Sequence, residues 1–178
     1  MAKIALESAA GNDVPNEQTL QSGATPDDIA YQNWLKNFAK QWGGTQCTLR
    51  PGKVVRYNCH GLTFASRRTW IDDREAVSRI LSDDGYDEVN EVADVMAGDV
   101  VVYFDKDGRA DHSGVVVEGP ETAGLGIPKV VSKWAWAYEV IHWANQCPYE
   151  MSDVRYFRVL KSTTKPENEN EVRRIAIP

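Results

Sequence analysis

The stretch Arg56-Tyr57-Asn58-Cys59-His60-Gly61-Leu62-Thr63-Phe64-Ala65 puts a cysteine at the mouth of a predicted helix. Asn58 suits the N-cap, because its side-chain oxygen can accept one of the free N–H groups of the first turn, which makes Cys59 the first helical residue. At that end the helix dipole favours thiolate over thiol. A thiolate needs a base to manage the proton of acyl chemistry, so the histidines matter next. There are three: His60, His112 and His142.

Upstream of this helix, Pro51-Gly52 signals a turn and Val54-Val55 a short extended run. A longer helix is expected from Thr25, with Pro26 at its first position, Asp27 and Asp28 in its first turn, and Gly43-Gly44 at its end. Tyr31, Trp34, Leu35, Phe38 and Trp42 fall on one face of it, a stripe read as core rather than a ligand platform. Residues 1–24 mix Ser, Gly, Asn, Pro and Gln without a period and read as a flexible arm.

Downstream, Asp72 and Glu75 have capping-box spacing, Val77, Ile80 and Leu81 supply the apolar face of a further helix, and Gly85 closes it. From Tyr86 the pattern turns extended. Val100-Val101-Val102-Tyr103-Phe104 is apolar throughout, as for a strand covered on both faces, and Asp105-Lys106-Asp107-Gly108 turns into a return strand opening at His112. That acidic turn lacks the further ligands of a calcium loop. Residues 119–128 read as a Gly-rich loop, Lys129 to Trp134 as a third strand, and Val154 to Leu160 as another. The class expected is α+β, in a single catalytic domain over residues 25–160, with a polar tail over 161–178.

A chain of 178 residues with 42% hydrophobic residues has enough apolar material for one buried core and too little for two. Its formal net charge of -6 argues against nucleic acid or an anionic membrane as partner, since both need a basic surface. No run has the length of a membrane span, so membrane insertion is not expected. Glu7 breaks the one apolar stretch near the start, so no signal peptide is expected; that makes the chain cytoplasmic as synthesised, with export only by another route. Cys47 and Cys147 have no metal-ligand spacing and read as small buried hydrophobes, and no metal or cofactor is expected.

A helix led by a cysteine, followed by an antiparallel sheet whose return strand opens with histidine, lets a nucleophile and its base meet across a helix–sheet interface. His112 points to the strand face opposite Asp111 and Ser113, so it reaches the thiol if that face meets the helix. His60 projects from another side of the helix and is the weaker partner. On these residues the chain resembles the NlpC-type cysteine peptidases and related CHAP amidases, which share a papain-like fold. The matching motifs are Asn58-Cys59-His60-Gly61-Leu62, Gly98-Asp99-Val100-Val101-Val102-Tyr103-Phe104 and His112-Ser113-Gly114-Val115-Val116, within residues 54 to 134. Asn58 and His60 depart from the family's aspartate and serine, and Ser132 stands where it has histidine, asparagine or glutamine.

The resemblance implies a papain-like helix bundle packed on an antiparallel sheet. It implies Cys59 as nucleophile, His112 as general base and then acid, and Ser132 or His142 as the orienting group. The Cys59 N–H would form part of an oxyanion hole, with Tyr57 or Asn58 assisting. The expected activity is amide hydrolysis through a thioester, on a peptide or peptidoglycan-like substrate. Two alternatives are a catalytically inactive module of the same fold used for binding, motivated by the weak orienter at Ser132, and a thioester-forming acyltransferase. Trp134, Trp136, Tyr138 and Trp143 form an aromatic cluster, read as core, with Trp134 and Trp136 also candidates for a substrate-groove wall. Lys133 and Glu139 read as solvated.

Overall fold

A computed structural model of the chain describes residues 4–17, 47–50, 56–134 and 138–159, together with Asn33 and Asn37. Seven strands form one sheet: β1 (Thr48–Leu49), β2 (Tyr86–Val89), β3 (Val100–Phe104), β4 (Ala110–Glu118), β5 (Lys129–Lys133), β6 (Glu139–Trp143) and β7 (Asp153–Val159). Their order across the sheet is β1-β6-β5-β4-β3-β7-β2, and every pairing is antiparallel. β3 and β4 are central, and all five residues of β3 are buried, as its unbroken apolar run requires. Asp105 closes the β3–β4 turn by accepting from the N–H groups of Asp107 and Arg109, both at 2.9 Å, and Gly108 takes the positive φ of 75° there.

Register decides which side chains share a face. Tyr103 pairs with His112, Gly114 with Ser132, and Val130 with His142, so all of these lie on one face. Val101, Tyr103, Val116, Val130, Tyr156 and Cys147 make the apolar cluster there. The other face carries Val100, Val102, Phe104 and Phe157 in a second cluster, joined by Val77 and Leu81. Those two residues belong to helix α2 (Arg74–Asp83), while helix α1 (Cys59–Phe64) lies on the same side of the sheet, where Ser113 and Glu139 point. A short helix α3 (Pro120–Ala123) interrupts the loop expected over 119–128.

The sequence expectations need several corrections. The α2 cap is Asp73, whose carboxylate accepts from Glu75 N–H at 3.0 Å, because Asp72 is bonded to Asn58 instead. Residues 4–17 are held rather than a loose arm. Val14 is 3% exposed, Glu17 pairs with Trp70, and the Ser8 hydroxyl and the Asn12 amide both donate to the Asp83 carboxylate. Burying one valine and pairing polar side chains outweighs a composition that has no periodicity. β6 was not anticipated, and its addition leaves Lys133 and Glu139 buried at 1% and 7% exposure rather than solvated.

The fold is therefore mixed α and β on an antiparallel sheet. Besides the helical Asn33 and Asn37, the described residues contribute three short α-helices. Apart from Asn33 and Asn37, which are helical, the helix expected from Thr25 to Trp42 lies outside the described residues, as do Val54-Val55, Trp136 and the 161–178 tail. Among the described residues no helix is long and apolar enough to cross a membrane.

Candidate functional site

Helix α1 begins where the sequence places it because Asn58 satisfies four groups at once. Its Oδ1 accepts from Gly61 N–H at 2.9 Å and Ile71 N–H at 3.1 Å, while its Nδ2 donates to the Ile71 carbonyl at 2.8 Å and to Asp72 at 3.0 Å. The same side chain caps the helix and ties it to residues 71–72. A carboxylate could match the two acceptances but neither donation, so asparagine is the residue this junction needs. Gly61 packs flush on the Thr69 carbonyl: a Cβ there would lie 1.7 Å from that oxygen.

Cys59 is 9% exposed. Burial pushes its thiol up to about 12, although the backbone N–H groups of Ser113, His60 and Cys59 itself pull the other way. The resting sulfur is thus a thiol. The helix-end contribution expected from the sequence is present in those N–H groups, but withdrawal from water outweighs it.

His60 is buried, and its Nδ1 shares a 2.8 Å hydrogen bond with Ser113 Oγ. Ser113 Oγ lies 3.0 Å from Thr63 Oγ1, and the Thr63 hydroxyl donates to the Cys59 carbonyl at 3.0 Å. Since Ser113 faces the helix, alternation turns His112 to the opposite face. The expectation that His112 faces α1 is corrected accordingly. Its ring is fully buried, stacked on Tyr149 with centroids 4.0 Å apart and set against Tyr103 at 5.5 Å. Neither ring nitrogen has a hydrogen-bond partner, so no thiol–imidazole hydrogen bond is formed. Burial, reinforced by His142 and His60, holds its pKa well below the ordinary histidine value and keeps the ring neutral.

His112 adjoins Ser113 in β4, and Ser113 is tied by its hydroxyl to His60 and Thr63 of the helix that carries Cys59. Cys147, packed in the cluster with Tyr103, has its thiol pushed up to about 12 by burial, with a smaller upward push from Cys59.

Ser132 and His142 are brought together, but with each other. Ser132 Oγ is 2.8 Å from His142 Nε2, Trp134 Nε1–H donates to Ser132 Oγ at 2.9 Å, and His142 Nδ1–H donates to the Trp143 carbonyl at 2.8 Å. That last acceptor cannot donate, so Nδ1 carries the hydrogen and Ser132 gives its own to Nε2. Burial lowers His142 to about 4. Neither residue bonds His112, and orienting it is a role neither holds in this arrangement. Trp134 is 1% exposed and packs against His142 rather than lining an open groove.

Tyr57 is likewise engaged. Its hydroxyl donates to Glu139 at 2.8 Å, and Arg50 and Arg67 reach the same carboxylate. Burial and the Glu139 hydrogen bond push Tyr57 up to about 12. Burial alone would raise Glu139, but Arg67, Tyr57 and Arg50 overrule it and hold the carboxyl below its usual range. Arg67 and the preceding Ser66 adopt positive φ values of 65° and 49° directly after α1.

Ser113 and Glu139 are the site neighbours that sequence reasoning missed. The signal for Ser113 lay in its partner: a polar residue in an apolar strand, beside a histidine that has no exposed position on its helix. Among the described residues no cluster of histidine, cysteine and carboxylate side chains could hold a metal ion. In comparisons with protein-family models, with curated proteins and with solved structures, nothing matches this chain.

Proposed function

We propose that the chain is a cysteine-dependent acyl hydrolase that cleaves an amide bond of a peptide, of the kind found in peptidoglycan, through a thioester on Cys59. The observation that carries this reading is a buried thiol opening helix α1 together with a buried imidazole, His112, that has no hydrogen-bond partner at either nitrogen and adjoins the strand serine tied to that helix. A buried, unsatisfied polar ring costs about 1–3 kcal/mol per group, and such groups persist where they have work to do. In the reaction His112 takes the thiol proton as sulfur attacks the carbonyl carbon. The oxyanion is held by backbone N–H groups, and the proton passes to the departing amine. Water then attacks the thioester, giving its proton to His112, which passes it to the departing sulfur, so that acid and thiol are released. Thiol and imidazole rest neutral, so binding of the substrate must bring the pair together.

The turn of His112 away from α1 favours a second reading, a catalytically inactive module of the same architecture that binds rather than cleaves. p-Nitrophenyl acetate separates the two. A hydrolase shows a burst of p-nitrophenolate and an acetyl group on the Cys59 peptide by mass spectrometry, both absent in Cys59→Ala and at least tenfold slower in His112→Ala. No burst, with Cys59 acetylated no faster than Cys47, supports the binding module. A burst that survives His112→Ala removes His112 as the base.

A further inference from the structure

We infer that His60 is a positioning residue: through the side chain of Ser113 it locks strand β4 to the helix that carries Cys59. The inference rests on the hydrolase reading for its consequence, but the contact itself does not. Ser113 Oγ is held by His60 Nδ1 at 2.8 Å and donates to Thr63 Oγ1 at 3.0 Å, and the Ser113 backbone N–H is among the groups that pull the Cys59 thiol down. Those two anchors sit on α1, the helix that carries Cys59, and Thr63 closes the circuit at the Cys59 carbonyl, 3.0 Å away. The strand and the helix that bears Cys59 are thereby held in one frame. His60 is 3% exposed and Ser113 fully buried, so water does not compete for the link.

This geometry separates the roles of two histidines on opposite faces of β4. His60 spends Nδ1 on Ser113 and is not placed to take the thiol proton, whereas His112 has no partner at either nitrogen. His60, which departs from the motif's serine, and Ser113 are the two ends of one hydrogen bond.

The test uses the full chain and variants His60→Ala, His60→Asn, Ser113→Ala and, as a core control matched in thermal stability, Ile80→Val. The first readout is amide hydrogen exchange at Ser113. It should quicken at least tenfold in His60→Ala, return to within threefold of wild type in His60→Asn, whose amide can replace Nδ1, and stay unchanged in Ile80→Val. The second is acylation by p-nitrophenyl acetate: the rate constant at saturation should fall at least tenfold in His60→Ala and Ser113→Ala with the half-saturating concentration within twofold. Ser113 exchange within twofold of wild type in folded His60→Ala, or acylation as fast as wild type in both variants, overturns the inference. If His60→Ala does not fold, failure of His60→Asn to keep Ser113 protected overturns it equally. A wild-type chain without acylation but with His60-dependent Ser113 protection removes the hydrolase reading and leaves the positioning contact standing.

Discussion

Asn58→Asp exchanges one amide for one carboxylate oxygen, yet a large and pH-dependent loss of stability is expected from it. The two acceptances, from Gly61 and Ile71 N–H, survive; the two donations, to the Ile71 carbonyl and to Asp72, do not. The buried Ile71 carbonyl left without that donor costs about 1–3 kcal/mol. A new carboxylate also arrives where Nδ2 stood, 3.0 Å from Asp72, whose pKa burial already raises. Unit charges at that distance repel by about 5 kcal/mol at an effective dielectric constant of about 20, and the half-buried setting and a shared proton reduce this to about 2 kcal/mol. The expected loss is therefore about 3–5 kcal/mol at pH 7. The shared proton raises the folded pKa of the carboxylate pair above its unfolded value, so the pair is tolerated at low pH and becomes destabilising as pH rises through the folded value. Urea unfolding followed by tryptophan fluorescence, at pH 7 and pH 5, measures the difference from wild type at each pH. Asn58→Ala serves as reference, with a loss of about 2–4 kcal/mol that does not vary with pH. A loss for Asn58→Asp under about 1 kcal/mol at pH 7, or one no smaller at pH 5, would refute the account of this junction.

Gly61→Ala should cost more than about 3 kcal/mol, seen as a large fall in Tm, because its Cβ would lie 1.7 Å from backbone oxygen that has no rotamer to escape into. Ser66→Gly should raise stability by about 0.5 kcal/mol in urea unfolding, since glycine adopts the φ of 49° without strain while its freer unfolded chain offsets part of the gain. His60 and His142 are both lowered by burial to about 4 in the fold, against about 6.5 unfolded, so the unfolded chain binds more protons between those values. Stability should hold above pH 6.5 and fall on acidification by about 1.4 kcal/mol per pH unit for each ring; urea midpoints constant from pH 7 to pH 5 would contradict this. Cys59, raised to about 12, should react with iodoacetamide ever faster up to pH 10 without a plateau, a plateau near pH 8 being the contrary result.

Local chemistry carries far in this chain. The start of α1 is legible because an N-cap acts within three residues, and the β3–β4 hairpin because an apolar run, an acidic Gly-containing turn and a second apolar run are contiguous. β5 and β7 follow from the same kind of run. β6 was missed because Glu139 and His142 sit among its apolar residues, and only the Arg50, Arg67 and Tyr57 contacts and the Ser132 bond make those polar groups tolerable inside. Asp72 had capping-box spacing but lost the cap to Asp73, because Asn58, fourteen residues earlier, claims its carboxylate.

That Cys59 opens a helix, that His112 lies in the second strand of a hairpin, and that the two follow in this order could be read from neighbouring residues alone, although that strand opens two residues earlier, at Ala110. Which face His112 takes could not. Alternation assigns His112 and Ser113 to opposite sides of the sheet without saying which side the helix covers, and that choice rests on His60 and Thr63 gripping Ser113 across some 50 residues of chain. Likewise the protonation of the thiol rests on how much protein surrounds it, a property of the packed molecule and not of the helix end.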